Sequence, residues 1–160
     1  MARANPFDDF QGLQSIRGHL RNTLPLYMAE RMLTAAEVLA LHTTAIAIVA
    51  GKVGAIHIPK YLFTFMDYPA SGGAGYAAVD AGDDLQVRWT DVSGAIGLTQ
   101  ETIGFLDQTS DQRRFSSAPA DVIPVDGAAL VLALGGAITT GNSPVYCRLF
   151  YHTIPTAFGL

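Results

Sequence analysis

The chain has 160 residues, ten Lys+Arg against fourteen Asp+Glu, a formal net charge of -4, and 15% charged against 49% hydrophobic residues. That length suits one domain with one core, the hydrophobic share excludes intrinsic disorder, and the lack of a basic stripe argues against a nucleic-acid partner. A membrane span needs about 20 apolar residues, whereas the run Ala45 to Ala50 stops at Gly51 and Lys52. Typical soluble domains are roughly 25% charged, so this chain carries more apolar surface than a lone monomer hides. A homo-oligomer is the first expectation.

The N-terminal sequence holds no apolar stretch of the secretory kind, so synthesis in a cytoplasm without export is expected. Asn5-Pro6-Phe7-Asp8 reads as a helix start: Asn at the N-cap, Pro at the first helical position and Asp in the first turn. Phe10, Leu13, Ile16 and Leu20 follow at spacings of three, three and four, an apolar stripe on one helix face. Arg17 and Arg21 lie near the far end, where cations suit the helix dipole, and Pro25 stops the run. Residues 6 to about 22 are therefore expected to form an amphipathic arm, and residues 1–32 a unit ahead of a body at 33–160. The arm either folds back or docks on another subunit or partner. Asp8 and Asp9 on its polar face argue against a membrane surface.

Thr34-Ala-Ala-Glu37 is a capping box, with Leu33 placed to staple Val38, and predicts a short helix ending near His42. From Thr43 the pattern is β. Thr44 to Ala50 is one expected strand and Val53 to Tyr68 a long second one. Alternation there puts Ile56, Ile58, Leu62 and Met66 on one face and Val53, Tyr61, Phe63 and Phe65 on the other. Both faces are apolar, so neither is suited to water, and Pro59 marks a bend or an edge position. Pro69 to Gly75 reads as a Gly-rich loop, and Leu85 to Thr90 alternates with Leu85, Val87 and Trp89 inward. Residues 93–120 read as irregular, with a short helix from Gln100 to about Leu106 stapled by Leu98 and Ile103. Further strands are expected at Asp121 to Pro124, Ala128 to Leu134 and Val145 to Ile154, the last two joined by a hairpin turn at Gly141-Asn142-Ser143. In the last strand Val145, Cys147, Leu149 and Tyr151 share a face. Short strands at this spacing with Gly/Pro turns indicate an antiparallel β-sandwich.

Chemistry is hard to find in this pattern. His19, His42, His57 and His152 have no metal-ligand spacing. Gly73-Ala-Gly75 lacks the strand and long helix that a phosphate loop requires. Asp80, Asp83 and Asp84 read as a solvated turn, since no ligand-spaced glutamate follows. Asp107, Asp111, Arg113 and Arg114 are expected to make surface or interface ion pairs, and lone Cys147 to act as a small core hydrophobe. No nucleophile elbow or Ser-His-Asp order stands out. The expectation is a non-enzyme with no cofactor and no metal.

Three stretches together carry a resemblance: Leu33-Thr-Ala-Ala-Glu-Val-Leu-Ala-Leu-His-Thr-Thr44 with the strand after it, Gly104-Phe-Leu-Asp-Gln-Thr-Ser-Asp-Gln-Arg113, and Val145-Tyr-Cys-Arg-Leu-Phe-Tyr-His-Thr-Ile-Pro155. Over residues 33 to 155 the chain resembles small proteins encoded among the structural genes of tailed bacteriophages. Within that group it looks like the capsid decoration, or cement, proteins that sit on the icosahedral head as trimers. The resemblance implies an all-β, jelly-roll-like antiparallel sandwich, here with short helices and an N-terminal helical arm, and no catalysis. It implies a location on the outer surface of the phage head after assembly in the host cytoplasm, with the major capsid protein and further copies of the chain as partners. Met1 to Arg31 lies outside the resemblance, and the usual loop after the first strand is shortened to Gly51-Lys52. Expected partner contacts are Phe7, Phe10, Leu13, Ile16 and Leu20 on the arm and Tyr61, Phe63 and Phe65 on the second strand face. The alternative is a surface adhesin or glycan-binding sandwich, for which Tyr68 and Tyr76 are the loop aromatics available; a sandwich-fold hydrolase is a weaker third reading.

Overall fold

The computed structural model describes residues 24–69, 71–119 and 121–156. These residues form eight strands: β1 (Leu26–Leu33), β2 (Ile46–Val49), β3 (Ala55–Met66), β4 (Leu85–Trp89), β5 (Ile96–Gln100), β6 (Gln112–Ser117), β7 (Leu130–Leu134) and β8 (Val145–Pro155). One helix, α1 (Ala35–Ala40), joins β1 to β2. The strands form two four-stranded antiparallel sheets, β1-β8-β3-β6 and β2-β7-β4-β5. β1 pairs β8, β2 pairs β7, β3 pairs β6 and β4 pairs β5. These nested pairs are one long hairpin rolled so that its strands alternate between sheets, which is the jelly-roll winding. The expected all-β sandwich is therefore present. The expected arm, with Phe7, Phe10, Leu13, Ile16 and Leu20, lies outside the described residues.

The core lies between the sheets. Leu85, Val87 and Trp89 of β4 face it as the alternation predicts, opposite Leu62 and Met66 of β3 and Val145, Cys147 and Leu149 of β8. The Trp89 indole N–H, fully buried, donates to the His57 carbonyl at 2.9 Å, so its one polar atom is satisfied across the sandwich. A second polar tie crosses the core where the Thr64 hydroxyl donates to Gln100 Oε1 at 2.6 Å. Gly97 is required where β5 passes Pro59 of the facing sheet and the Trp89 ring, because a Cβ there would sit 2.7 Å from Pro59 and 2.8 Å from Trp89.

The capping box forms as its sequence dictates. Glu37 N–H donates to the Thr34 hydroxyl at 3.3 Å, and the Thr34 N–H donates to the Glu37 carboxylate at 2.8 Å. Leu33 and Val38, the staple pair, are both buried, and the helix ends with Leu41 as its C-cap. Its apolar side closes the space between the sheets where the chain passes from one to the other.

Several expectations fail for identifiable reasons. β1 is a strand of the sandwich, although Leu26 to Met32 read as part of the arm; the charged pair Glu30-Arg31 breaks its apolar alternation. Ile56 and Ile58 do not share a face with Leu62 and Met66. A bulge between Pro59 and Tyr61 reverses the parity, so Ala55, His57 and Pro59 are buried before it and Leu62, Thr64 and Met66 after it. Pro59 does occupy a bend and a locally free edge, since β6 begins to pair only at Tyr61. The helix expected over Gln100 to Leu106 is instead the end of β5 and one tight turn, in which the Thr102 carbonyl accepts from Phe105 and Leu106. Gly104, at φ +71°, is part of what stops it there. Asp121 to Pro124 forms no strand: Ile123 is 86% exposed, and the nearest pairing is an isolated bridge from Asp126 to Ile56. Gly141 to Ser143 makes no hairpin, because β7 and β8 lie in different sheets and the segment carries the chain across. β6, a polar Gln-Arg-Arg-Phe-Ser-Ser run within the stretch expected to be irregular, is an edge strand.

Candidate docking face

Paired residues of an antiparallel sheet point to the same side, so the register of β1-β8-β3-β6 defines what its outer face displays. The first row across the sheet is Met32, Tyr146, Phe65 and Arg113. The second is Glu30, Arg148, Phe63 and Phe115, and the third Met28, Phe150, Tyr61 and Ser117. Leu26, His152 and Ile58 follow. Most of these side chains are apolar, and no described segment covers them: Phe115 is 63% exposed, Met28 52%, Tyr146 43% and Tyr61 39%.

The aromatics are arranged against each other along the face. Tyr61 stacks on Phe115 with ring centroids 5.5 Å apart, Phe65 meets Tyr146 at 6.1 Å, and the Arg113 guanidinium lies 4.9 Å above the Phe65 ring. Arg148 donates to Glu30 at 2.6 Å, neutralising the pair in the middle of the apolar surface. Between β1, β8 and β3 a groove of about 350 Å³ opens, with Met32, Phe63, Tyr146 and the Glu30–Arg148 pair among its walls. The arrangement is a broad, shallow, largely uncharged surface. Its chemistry is that of contact with another apolar surface, with one buffered charge pair and one cation at the rim.

The expected contact residues Tyr61, Phe63 and Phe65 all lie on this face, brought to one side by the bulge that precedes them. Val53, assigned to the same side, falls before the strand and is 97% exposed. Sequence reasoning missed Leu26, Met28, Met32, Phe115, Tyr146 and Phe150. Their signal was alternation: Tyr146 and Phe150 occupy the positions of β8 between its core residues.

Other candidates resolve differently. Tyr76, a loop aromatic in the adhesin reading, is only 2% exposed, and its hydroxyl donates to the Ser143 carbonyl. Burial pushes that phenol above its ordinary pKa. The Tyr68 hydroxyl donates to Gly73 O at 2.7 Å and so is spent on shaping its own loop. Asn142 clamps the same loop, accepting from Ala74 N–H and donating to Gly72 O, each at 2.8 Å.

Within the described residues Asp107, Asp111, Arg113 and Arg114 form no ion pair with one another. Asp111 accepts from the Tyr68 N–H, Arg114 donates to the carbonyls of Ile103 and Gly104, and Arg113 lies on Phe65. The ion pairs present among the described residues are Arg31–Glu37 and Arg148–Glu30. Cys147 is core, 2% exposed, its thiol pushed up to about 12 by burial. Asp83 accepts from the Asp80 N–H and closes its own turn. Among the described residues no three His, Cys, Asp or Glu side chains stand close enough to hold a metal ion, and no helix is long and apolar enough to cross a membrane.

No protein-family model matches the chain, and no curated protein matches it. Among solved structures the chain is similar to one in the capsid asymmetric unit of the cyanophage Pam1, at 14% identity and a TM-score of 0.42, over 80% of this chain and 83% of that one.

Proposed function

We propose that this chain is a structural protein of a bacteriophage virion, a decoration or cement subunit that binds the major capsid protein shell on the outside of the head and stabilises it. The observation that carries the proposal is the exposed apolar face of β1-β8-β3-β6. Contiguous apolar patches of this kind on a soluble domain mark interaction surfaces. The residue patterns shared with tailed-phage decoration proteins supply the kind of partner, and they suggest a homo-oligomer, a trimer in that group. The jelly-roll winding suits the role, though it also serves lectins and other proteins and does not select between them.

The mechanism is mechanical and involves no catalysis. Burying apolar area at roughly 25 cal/mol per Å² stabilises the bound state, while lost rotational freedom and side-chain ordering offset much of that gain. Repetition over many sites of a shell then multiplies a modest single-site affinity. Genome pressure must break these contacts before the shell opens. The test is to titrate purified protein onto undecorated heads: saturable binding that raises the temperature of head rupture is expected. Absence of binding, or binding only to glycan-bearing cell surfaces, would overturn the reading. Light scattering checks the oligomer, since a stable 17.0 kDa monomer at micromolar concentration contradicts it.

A further inference from the structure

The described chain begins beside the apolar face. Leu24 and Leu26 are 36% and 50% exposed, and the backbone bends at Leu24 before β1 starts. His152, which shares the outer face with Leu26, bonds through Nδ1 to the Pro25 carbonyl at 3.0 Å. The chain is therefore pinned at the β1 edge of the face it would have to cover. Residues 1–23 lead into this point, and they carry the stripe Phe10, Leu13, Ile16 and Leu20 at helical spacing. A helix over residues 6–22 is about 25 Å long, and four strands about 4.8 Å apart give a sheet about 14 Å across. The segment has the length to cross all four strands obliquely.

Charge order agrees with that crossing. Next to the anchor the segment carries Arg17 and Arg21, and the nearest outer acid on β1 is Glu30. At its far end it carries Asp8 and Asp9, and the far strand β6 presents Arg113, which has no carboxylate partner among the described residues. The reverse direction would set like charges against each other at both ends.

We propose that residues 1–23 fold back over the outer face of their own β1-β8-β3-β6 sheet, setting the Phe10–Leu20 stripe on Met28, Phe63 and Tyr146 with Asp8 and Asp9 towards Arg113. The cover does not depend on what the face docks onto. If the face meets a capsid shell, as proposed above, a consequence resting on that reading is that the segment and the shell compete for it.

The full-length chain serves as its own test. The double variant Leu13→Asp/Ile16→Asp is expected to raise fluorescence of the apolar dye 1-anilinonaphthalene-8-sulfonate several-fold, with an unchanged β-sheet circular dichroism spectrum. No rise overturns the cover. In Asp9→Cys/Arg113→Cys, a short bismaleimide is expected to link the two positions within one chain. Links only between chains, seen by mixing heavy- and light-isotope protein, assign the face to a second copy and overturn the proposal, as does no link. Binding to undecorated heads separates the two readings. A dye-bright variant that binds heads at least as well supports cover and docking face together; a dye-bright variant that no longer binds keeps the cover and removes this face as the shell contact.

Discussion

The two sheets of this sandwich present opposite outer faces. On β2-β7-β4-β5 the outward positions are Ala47, Gln86, Arg88, Thr99, Val131 and Ala133, mostly small or polar, with Ile96 on the edge strand as the one large apolar side chain, 44% exposed. Arg88 donates to Gln86 Oε1 at 2.7 Å and to the Gly94 carbonyl at 3.0 Å, and Val131 and Ala133, paired with Arg88 and Gln86, are 4% and 0% exposed. On β1-β8-β3-β6 the same positions hold Met, Phe and Tyr with no described cover. One face is finished within its own sheet, and the other is left for another surface. Both sheets use the same alternation inward, so the difference lies in what each strand spends on its second side.

The sharpest way to break that contrast is to place one charge on each face. Ala133→Asp buries a carboxylate on the closed face, where the neighbouring Arg88 is already committed to Gln86 and the Gly94 carbonyl, and is expected to cost about 3–5 kcal/mol. Phe115→Asp places the same group at a 63% exposed position. It loses a stacking contact with Tyr61 and should cost about 1 kcal/mol or less. Its effect belongs in binding: affinity for undecorated heads should fall at least tenfold, about 1.4 kcal/mol. Urea melts and head titrations of the two variants separate the outcomes. Equal stability losses, or undiminished binding by Phe115→Asp, would remove the distinction between the faces.

A second substitution pair tests how the sheets are held in register. Thr64 and Gln100 are fully enclosed, and Gln100 Nε2 already lacks a partner among the described residues. Thr64→Val takes away the Gln100 side chain's remaining bond and is expected to cost about 1–3 kcal/mol, because a buried amide is left unpaired. The double variant Thr64→Val/Gln100→Leu removes both polar groups and should recover most of that loss. A double variant as unstable as the single one would mean that the pair is packing rather than pairing.

These particulars also mark what was legible in the sequence. β4 and β8 could be read because one side of each is apolar throughout, and the capping box could be read because its chemistry is local to four residues. β1 and β6 escaped because edge strands tolerate charge and polarity, as Glu30-Arg31 and Arg113-Arg114 show. The parity of β3 was misassigned before Pro59 because a bulge is fixed by pairing with a strand some ninety residues later, which no local pattern records. A third of the face's apolar residues were visible as Tyr61, Phe63 and Phe65, an excess of aromatics on the second side of one strand. Met28, Phe115 and Tyr146 join them only through the register of three other strands.

Alkali probes the core between the two sheets. Burial raises the Cys147 thiol from its ordinary 9.0 to about 12. Between those values the unfolded chain releases a proton that the folded chain keeps, so stability is full below about pH 9 and falls as pH rises towards 12. The limiting slope for one group is about 1.4 kcal/mol per pH unit. Tyr76, also raised by burial, adds to the slope only once the unfolded phenol titrates, near pH 10. Cys147→Ala should flatten the pH 9–10 part of the stability curve measured by denaturant melts. An unchanged slope there would place the alkaline loss in other groups.

The smallest effect concerns the joint between the sheets, α1. Thr34→Ala removes the hydroxyl that accepts from the Glu37 N–H and is expected to cost about 1 kcal/mol. Glu37 separates the two halves of the box. Its carboxyl lies below the ordinary carboxylate range, chiefly through the Thr34 backbone N–H, then the Thr34 hydroxyl, then Arg31. A lowered carboxylate contributes stability that is present above its unfolded pKa and lost as pH falls through the folded one. In Thr34→Ala the backbone donor survives, so a proton-detected titration should find the Glu37 pKa only partly restored and the acid loss of stability shifted to slightly higher pH. Full restoration would show that the hydroxyl holds the reciprocal bond in place, making the cap one cooperative unit rather than two bonds.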